Sequence, residues 1–287
     1  MDLDGFLWAR ARRLPFVVSL KGVIADELKH ESGLTRALLS IQARWEGINA
    51  RHADVVIAPS RYSADVARRE YGLAAGKIVV VPEPIDLERW TPLFAAAAPR
   101  GPTGPTILCV ARMYPRKRIG DLLEAAALLR PGIPGVRVRI VGKGSGWEDA
   151  VRLHDRLGLG ETVTFLGDVS RERLAEEYVS ADIFCLPSVQ ESFGIVFLEA
   201  MAAGLPVVAC RAAAIPEVVE DGVTGLLAPP RDPASLAGAL EALAADPERA
   251  RTMGEAGRRA VTAYVPERVA ARFLEAVRLG LEGGPSR

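Results

Sequence analysis

Glu191 and Glu199 stand eight positions apart, in a turn and a helix whose start could bind a sugar attached to an anion. Glu191 lies in a polar turn after a strand predicted at 182–186, and Glu199 lies within the apolar helix that follows. Open parallel α/β sheets bind ligands in such loops, at the carboxyl ends of their strands. The free N–H groups of the helix start suit a diphosphate, and Gly194 has no Cβ to keep a ligand from the backbone. Both carboxylates would accept hydrogen bonds from sugar hydroxyls.

The two glutamates also have an ordinary explanation. Acidic residues near the start of a helix complement its dipole whether or not a ligand binds there. The other residues of this helix are apolar and should be buried, so a carboxylate such as Glu199 needs a partner. That partner would be a ligand hydroxyl or a structural arginine.

Basic residues follow another predicted strand, at 106–110. Arg112 comes directly after this strand, and Lys117 precedes the next helix. Both would face the carboxyl end of the sheet, as the turn at Glu191 does. They would offset the charge of a diphosphate there, since a hydrogen bond to a charged group contributes about 1.5–3 kcal/mol. The alternative is a basic loop that is merely solvated.

A glycine-rich turn follows the strand predicted at 136–141. Its residues 142–146 read Gly-Lys-Gly-Ser-Gly, and Asp168 ends the next strand, which suggests a dinucleotide site and an NAD-linked enzyme. Trp147 occupies the third glycine position of that fingerprint, where the helix must pack closely on the strand, and this argues against the hypothesis. The turn does not match a Walker loop either. Close access for another nucleotide and a plain tight turn both remain open.

The composition argues against several classes of protein. The 287 residues are 49% hydrophobic and 25% charged, which suits one large or two medium globular domains. The formal net charge is zero, which argues against nucleic acid as the main partner. No apolar run approaches the ~18 residues of a membrane-spanning helix. Acidic residues near the N-terminus, Asp2 and Asp4, do not suit a signal peptide.

The cysteines and histidines predict neither disulfides nor a metal site. Each cysteine lies in an apolar, strand-like run, and no histidine pairs with a cysteine at ligand spacing; the residues are Cys109, Cys185, Cys210, His30, His52 and His154. We therefore expect the cysteines to be small core residues in a reducing cytoplasm. Asp2-Leu3-Asp4 has the form of an Asp-x-Asp metal motif, but at a chain end we expect a frayed terminus.

Apolar runs alternate with helical patterns from about residue 104 onward. Strands are predicted at 106–110, 136–141, 162–166, 182–186, 206–210 and 225–228. Helices are predicted near 119–130, 146–158, 170–180, 195–203, 215–220, 232–245, 247–264 and 266–281. Continuous apolar strands separated by helices indicate a parallel sheet covered on both faces, and six of them make a complete doubly wound, Rossmann-like domain.

The first 90 residues show the same pattern at half the size. Strands are predicted at 16–20, 54–58 and 77–81, and helices near 34–52 and 61–71. Three parallel strands amount to a partial Rossmann-like domain. Several prolines between Pro82 and Pro105 indicate a linker. We expect an N-terminal α/β domain at 1–91, a linker at 92–105, a C-terminal domain at 106–264 and a last helix at 265–287 that packs back on the N-terminal domain.

Taken together, these motifs resemble glycosyltransferase family 4, the retaining nucleotide-sugar glycosyltransferases of the GT-B fold. Glu191 and Glu199 match the Glu-x7-Glu motif of the family, and Arg112 and Lys117 stand where its diphosphate-binding pair stands. The resemblance runs from about residue 16 to 281. Further matches follow in the order of the family at 141–142, 165–169, 199–209 and 215–219.

The resemblance implies a GT-B-like α/β fold and a hexosyltransferase of glycan biosynthesis, which uses a UDP- or GDP-linked donor and retains configuration. The implied catalytic residues are Glu191, on the transferred sugar, and Arg112 and Lys117, on the diphosphate. The implied donor-binding residues are Glu199 on the ribose, Gly142 and Val169 beside the nucleotide, and Ser192, Phe193, Gly194 and Ile195, whose amides would meet the sugar and phosphates. No metal or other cofactor is then required, because cations and N–H groups stabilise the leaving diphosphate.

The N-terminal part departs from the family pattern. A glycine-rich acceptor loop and several early strands are missing, Lys21-Gly22 stands where His-Gly is common, and Ala111 replaces the usual glycine before Arg112. We therefore expect an N-terminally truncated chain that exposes apolar faces. A nucleotide-sugar-binding protein or fragment without transferase activity is the alternative function.

The resemblance leaves three kinds of acceptor open: a glycan, a lipid or a small molecule. We expect a cytoplasmic protein that is either free or peripheral to the inner face of the membrane. The basic stretch 8–14 would touch an anionic membrane surface in the second case and would otherwise be a solvated helix end, which we favour.

Overall fold

The computed structural model describes residues 4–12, 14–98 and 104–282. The expectation of a frayed Asp-x-Asp terminus lies outside them, because Asp2, Leu3 and the side chain of Asp4 are not described. The chain divides into two compact units, Met1–Pro84 with Tyr264–Arg287, and Ile85–Ala263. Each unit has a parallel sheet of its own.

The smaller unit is a three-stranded parallel sheet between helices. Its strands are β1 (Val17–Ser19), β2 (Val55–Ala58) and β3 (Ile78–Val80), in the order β1-β2-β3. Its helices are α1 (Asp4–Arg12), α2 (Ile24–Glu27), α3 (Gly33–His52), α4 (Arg61–Tyr71) and, from the end of the chain, α13 (Pro266–Glu282). The strands, α3 and α4 lie where the sequence predicts them, whereas the short helix α2 was not predicted.

Alternate residues of β2 enter two separate cores. Val56 packs with Val66 and Tyr71 of α4 on one face of the sheet. Val55 and Ile57 pack on the other face, in a cluster that includes Val269 and Ala276 of α13. Successive side chains of a strand point to opposite faces, so a continuous apolar strand is buried only if both faces are covered. Helix α13 provides the second cover.

The larger unit contains a complete doubly wound sheet. Its strands are β4 (Thr106–Val110), β5 (Arg137–Val141), β6 (Val163–Gly167), β7 (Ile183–Leu186), β8 (Val207–Cys210) and β9 (Gly225–Ala228). Its helices are α5 (Leu87–Ala96), α6 (Ile119–Leu129), α7 (Trp147–Arg156), α8 (Arg171–Val179), α9 (Ile195–Ala203), α10 (Ile215–Val218), α11 (Pro233–Ala244) and α12 (Pro247–Ala260). The sheet order β6-β5-β4-β7-β8-β9, parallel throughout, confirms the predicted fold class.

Several single-turn 3-10 helices connect these elements, at Leu28–His30, Ala75–Lys77, Pro115–Lys117, Gly160–Thr162 and Val261–Tyr264.

The three cysteines lie on strands of the larger sheet and are part of its core, as expected. Cys109, Cys185 and Cys210 are all buried, and burial raises the pKa of the Cys109 thiol to about 12. They are therefore inert packing residues.

A helix begins in the segment where the prolines indicated a linker. Helix α5 occupies Leu87–Ala96, and the side chain of Asp86 caps it by accepting a hydrogen bond from the Arg89 N–H at 2.9 Å. The prolines suggested a break, but Trp90 is buried and stacks on Phe94, with ring centroids 5.1 Å apart. Burial of a large aromatic side chain stabilises a short helix that local propensity does not favour.

Candidate functional site

The predicted site residues gather at the point where the larger sheet reverses its strand order. Strands β4 and β7 are neighbours, with Ile107 opposite Ile183, yet β4 leads to β5 on one side and β7 leads to β8 on the other. The chain therefore leaves β4 toward one edge of the sheet and leaves β7 toward the other, which defines a topological switch point at the carboxyl rim. Open α/β sheets bind their ligands at this switch point.

The loop after β4 is held by the glycine turn after β5. The N–H of Met113 donates to the carbonyl of Lys143 at 3.0 Å, and the N–H of Gly146 donates to the carbonyl of Met113 at 2.7 Å. An added Cβ at Gly142 would overlap the carbonyl oxygen of Ala111, and one at Gly144 would lie 2.7 Å from the Met113 nitrogen. Of the two explanations that the sequence left open, these contacts favour a tight turn, because the glycines let two loops pack together.

Lys117 and Glu191 meet across the switch point. The Lys117 Nζ lies 2.5 Å from the Glu191 Oε1, and their side chains are only 13% and 9% exposed. The backbones of the two loops also join, since the N–H of Val189 donates to the carbonyl of Arg116 at 2.9 Å. The hydroxyl of Ser188 donates to the same carbonyl at 3.2 Å. Lys117 and Glu191 therefore belong to one rim, as the hypothesis of a common site requires.

Arg112 lies on the same loop but differs in its surroundings. Its side chain is exposed and forms no hydrogen bond or ion pair within the described part of the chain. Arg118, by contrast, is bound to the buried Asp121, with Arg118 Nε 3.0 Å from Asp121 Oδ2. Arg112 is thus a cation whose charge no carboxylate of the described residues neutralises.

Helix α9 starts directly after the turn that carries Glu191. Gly194 has φ 92° and precedes the helix, and a Cβ there would lie 2.5 Å from the Phe197 ring. Phe193 is buried, whereas Ile195 is exposed. The carbonyl of Glu191 accepts a hydrogen bond from the Ala214 N–H at 3.2 Å, which ties the turn to the loop after β8. The predicted residues Ser192 to Ile195 thus surround the helix start.

Gly142 and Val169 lie further along the same rim. The N–H of Gly142 donates to the carbonyl of Gly167 at 2.7 Å, so the loops after β5 and β6 are also joined. Val169 follows Gly167 and is half-buried. Their predicted contact with a nucleotide remains a prediction.

The carboxyl rim of the larger sheet contains several residues with positive φ. Each of the six strands of the larger sheet ends at or is followed by a residue with positive φ: Arg118, Gly142, Gly167, Gly194, Ala213 and Arg231. Arg118, Ala213 and Arg231 are the three described residues other than glycine that have positive φ. Such a residue costs roughly 1–2 kcal/mol, and strain of this kind is often found at functional sites. No sequence pattern predicted a positive φ at these three positions.

Glu199 has a partner that the sequence analysis missed. The hydroxyl of Tyr178, on α8, donates to the Glu199 Oε2 at 2.9 Å, so the protein partner is not the structural arginine considered above. Burial raises the pKa of Glu199 to about 7, and the bond from Tyr178 partly opposes that shift. The available signal was the tyrosine itself, because a tyrosine on the buried face of a helix needs a partner for its hydroxyl.

Two absences bear on the chemistry. Within the described ranges, no three His, Cys, Asp or Glu side chains converge in a way that would hold a metal ion. Among the same residues, no helix has the length and apolar character needed to span a bilayer.

A cavity of about 430 Å³ opens in the larger unit, but it lies away from the site. Its lining residues, such as Pro105, Asp182 and Leu205, place it at the amino ends of the strands.

Comparison with known proteins identifies the family. The family of glycosyl transferases group 1 matches residues 94–260, more than half of the chain, and Glycosyltransferase Family 4 matches residues 2–89. The chain therefore belongs to the glycosyl transferases group 1, with the family 4 proteins of the GT-B fold.

Similar proteins include enzymes that act on inositol compounds. A D-inositol 3-phosphate glycosyltransferase of Nocardia farcinica is 40% identical over 213 residues, which are 70% of this chain and 47% of that protein. A GDP-mannose-dependent alpha-(1-6)-phosphatidylinositol monomannoside mannosyltransferase of Mycolicibacterium smegmatis is 36% identical over 72% of this chain and 57% of its own length. The chain spans about half the length of these curated relatives.

Solved structures share the fold over almost the whole chain. Sucrose-phosphate synthase from Thermosynechococcus elongatus superposes with a TM-score of 0.79 at 28% identity, over 98% of this chain and 72% of that one. Anabaena HepE in complex with UDP and glucose superposes with a TM-score of 0.75 at 25% identity, over 96% and 73%.

Proposed function

We propose that this chain is the donor-binding part of a retaining glycosyltransferase, which transfers a hexose from a nucleotide diphosphate sugar to an acceptor. The observation that carries the proposal is the meeting of Lys117 and Glu191 beside the start of α9, at the switch point of the larger sheet. A cation, a carboxylate and the N–H groups of a helix start are the groups that a sugar diphosphate requires. They come from two loops that meet only in the folded chain.

The roles of the residues follow from their charge and position. Arg112 and Lys117 would hold the diphosphate, Glu191 would accept hydrogen bonds from the transferred hexose, and Glu199 would accept them from the ribose. The backbone amides of Ser192, Phe193, Gly194 and Ile195 would face the sugar and phosphates, and Gly142 and Val169 would line the nucleotide. Rupture of the bond between sugar and diphosphate puts negative charge on the leaving group, and preorganised cations and N–H groups stabilise that charge as it develops.

The relatives support a hexose donor linked to GDP or UDP. The mycobacterial relative is named for its use of GDP-mannose, and HepE holds UDP and glucose. A mannosyltransferase or an inositol phosphate glycosyltransferase is therefore the finer function that we propose.

Calorimetry with UDP-glucose, GDP-mannose, UDP, GDP and their nucleosides tests the proposal. We expect at least one sugar nucleotide to bind, and binding of none would remove the donor site. Lys117→Ala should weaken binding of the nucleoside diphosphate far more than binding of the nucleoside. Arg251→Ala, which removes an exposed cation of α12, is the control and should change neither. Equal losses for diphosphate and nucleoside in Lys117→Ala would contradict the role in diphosphate binding.

A binding protein without transferase activity is the second candidate. Lys21 stands where the family often has His-Gly, and its Nζ lies 3.0 Å from both oxygens of Glu83 in the smaller unit. A lysine bound in this way does not replace a histidine. This observation supports donor binding without transfer. Measurable transfer or hydrolysis of a bound sugar nucleotide would exclude this alternative.

We propose that residues 1–91 form the acceptor side, residues 106–264 the donor side, and that the acceptor is a lipid. Leu34, Leu38, Ile41 and Trp45 are exposed and follow one face of α3. The only acid of this helix, Glu46, is buried, so its exposed charges are arginines. A basic helix with an exposed apolar face suits the surface of an anionic membrane. The phosphatidylinositol lipid named for the mycobacterial relative supports this choice of acceptor.

Vesicle sedimentation tests the membrane contact. The protein should sediment with vesicles of phosphatidylglycerol and much less with vesicles of phosphatidylcholine. Leu38→Gln combined with Ile41→Gln should abolish sedimentation, whereas Leu128→Gln, at an exposed leucine of α6, should have no effect. Equal sedimentation of all three proteins would reject α3 as the contact.

A further inference from the structure

Among the described residues, only one of the two oxygens of Glu199 accepts a hydrogen bond. Its Oε2 accepts the hydrogen bond from the fully buried Tyr178, and its Oε1 accepts none from the described residues. Glu199 is half-buried and lies about one turn into α9, the helix whose start follows the turn that carries Glu191. One oxygen is therefore fixed and the other is available to a ligand.

The hydroxyl of Tyr178 is held in place by packing on two sides. Its ring meets Trp90 edge-on at 5.8 Å and lies 6.1 Å from Phe184 of β7. The neighbouring residue Glu177 is fully buried and receives two hydrogen bonds from Arg139 of β5, at 2.5 Å and 2.8 Å. Helix α8 is thus fastened to the sheet next to Tyr178, so the hydroxyl has little freedom to move.

A tyrosine at this position has an energetic cost that a phenylalanine would avoid. The surrounding side chains are aromatic, and a hydroxyl in such surroundings is unfavourable unless it has a partner. Glu199 is likewise partly removed from water, which raises its pKa, while the bond from Tyr178 favours the ionised form. The Tyr178 hydroxyl and the Glu199 carboxylate are each unfavourable to bury alone, and they are paired beside the proposed donor site.

We propose that Tyr178 is a positioning residue, whose hydroxyl orients Glu199 so that its free oxygen receives the ribose hydroxyls of the donor. This inference rests on the proposed function, which assigns the ribose to Glu199. Helix α5 contributes indirectly, because Trp90 and Phe94 form the wall against which Tyr178 packs. The family motif names the two glutamates but gives no reason for Tyr178 or for the helix that supports it.

The test compares Tyr178→Phe with the wild-type protein. Calorimetry measures the affinity for UDP or GDP, whichever the wild type binds, and for its 2′,3′-dideoxy form. A hydrogen bond to a charged group corresponds to a preference of about tenfold or more for the ribose form. In Tyr178→Phe this preference should fall by about three- to tenfold. The affinity for the ribose form should also rise with pH around the pKa of Glu199, about 7 in the wild type, and at a higher pH in Tyr178→Phe.

Tyr71→Phe is the matched control. The hydroxyl of Tyr71 also donates to a buried glutamate, Glu46, but in the smaller unit. This variant should keep both the ribose preference and the pH midpoint of the wild type. Calorimetry also reports the fraction of competent protein, so partial unfolding of Tyr178→Phe would lower the number of sites without changing the preference.

The possible results separate the inference from the function on which it rests. An unchanged ribose preference together with an unchanged pH midpoint in Tyr178→Phe would show that Tyr178 is structural only, and donor binding by the wild type would stand. A wild type that binds neither UDP nor GDP would overturn both the inference and the proposed function. Loss of the ribose preference in Tyr71→Phe as well would also overturn the inference.

Discussion

Removal of the Lys117 charge should destabilise the larger unit strongly. The Lys117 and Glu191 side chains are 13% and 9% exposed, so their ion pair is buried rather than solvated. In Lys117→Met, Glu191 would remain as a buried charge without its counterion. Breaking a buried pair in this way costs about 3–5 kcal/mol, whereas an exposed pair contributes about 0–1 kcal/mol. We therefore expect a loss of about 3–5 kcal/mol from the free energy of unfolding.

A double-mutant cycle shows whether the pair itself causes the loss. Glu191→Gln removes the charge that Lys117→Met leaves unpaired, so the double variant should recover much of the lost stability. Arg251→Met is the control, because its pair with Glu248 in α12 is 57% and 73% exposed and should contribute little. Urea unfolding followed by circular dichroism measures each variant. If the two units unfold in two distinct transitions, each transition is fitted with its own two-state model, because that model describes one cooperative unit.

The reasoning would be refuted by a small effect. A loss below about 1 kcal/mol in Lys117→Met would place the pair in the range of solvated ion pairs. A double variant as unstable as the single one would show that the loss comes from the packing of the lysine stem and not from the charge. Either result would show that the charge interaction between Lys117 and Glu191 contributes little to the free energy of unfolding.

Two further predictions concern the rim. Gly142→Ala should lower the melting temperature of the larger unit by several degrees, because the new Cβ would overlap the Ala111 carbonyl and φ is 106° at this position. Gly76→Ala is the control and should have a small effect, because an added Cβ there meets nothing within 4 Å. Glu199 has a folded pKa of about 7 against an ordinary value of 4.5, so its contribution to stability is fully present below about 4.5 and is lost as the pH rises through about 7. Urea unfolding at pH 5 and pH 8 should show this fall, and Glu199→Gln should remove it; an equal fall in Glu199→Gln would contradict the assignment.

The sheet and the rim were predictable because they depend on local patterns. Most strands of the larger unit are short apolar runs, each with a helix after it, and parallel strands place all their carboxyl ends on one side. The meeting of Lys117 and Glu191 follows from that rule once β4 and β7 are neighbours. A pairing over 74 residues was thus within reach of a sequence argument, since topology brings both loops to the same edge.

Helix α5 and the partner of Glu199 were not predictable in this way. The segment of α5 contains Pro92 and lies among prolines, so local propensity disfavours a helix there. Its helical state depends on the packing of Trp90 against Tyr178, a contact between residues 88 positions apart, which no local pattern encodes. The bond from Tyr178 to Glu199 depends in turn on how α8 faces α9. Tertiary packing decided both outcomes.

The structure also separates two basic residues that the sequence treats as a pair. Lys117 already neutralises Glu191, and Arg118 neutralises Asp121, so neither adds net positive charge to the rim. Arg112 is exposed and has no carboxylate partner among the described residues. The negative charge of a bound diphosphate would therefore be offset mainly by Arg112 and by the N–H groups at the start of α9. Lys117 would still hold the diphosphate by hydrogen bonds, and its pairing with Glu191 also keeps that carboxylate compatible with a neighbouring anion.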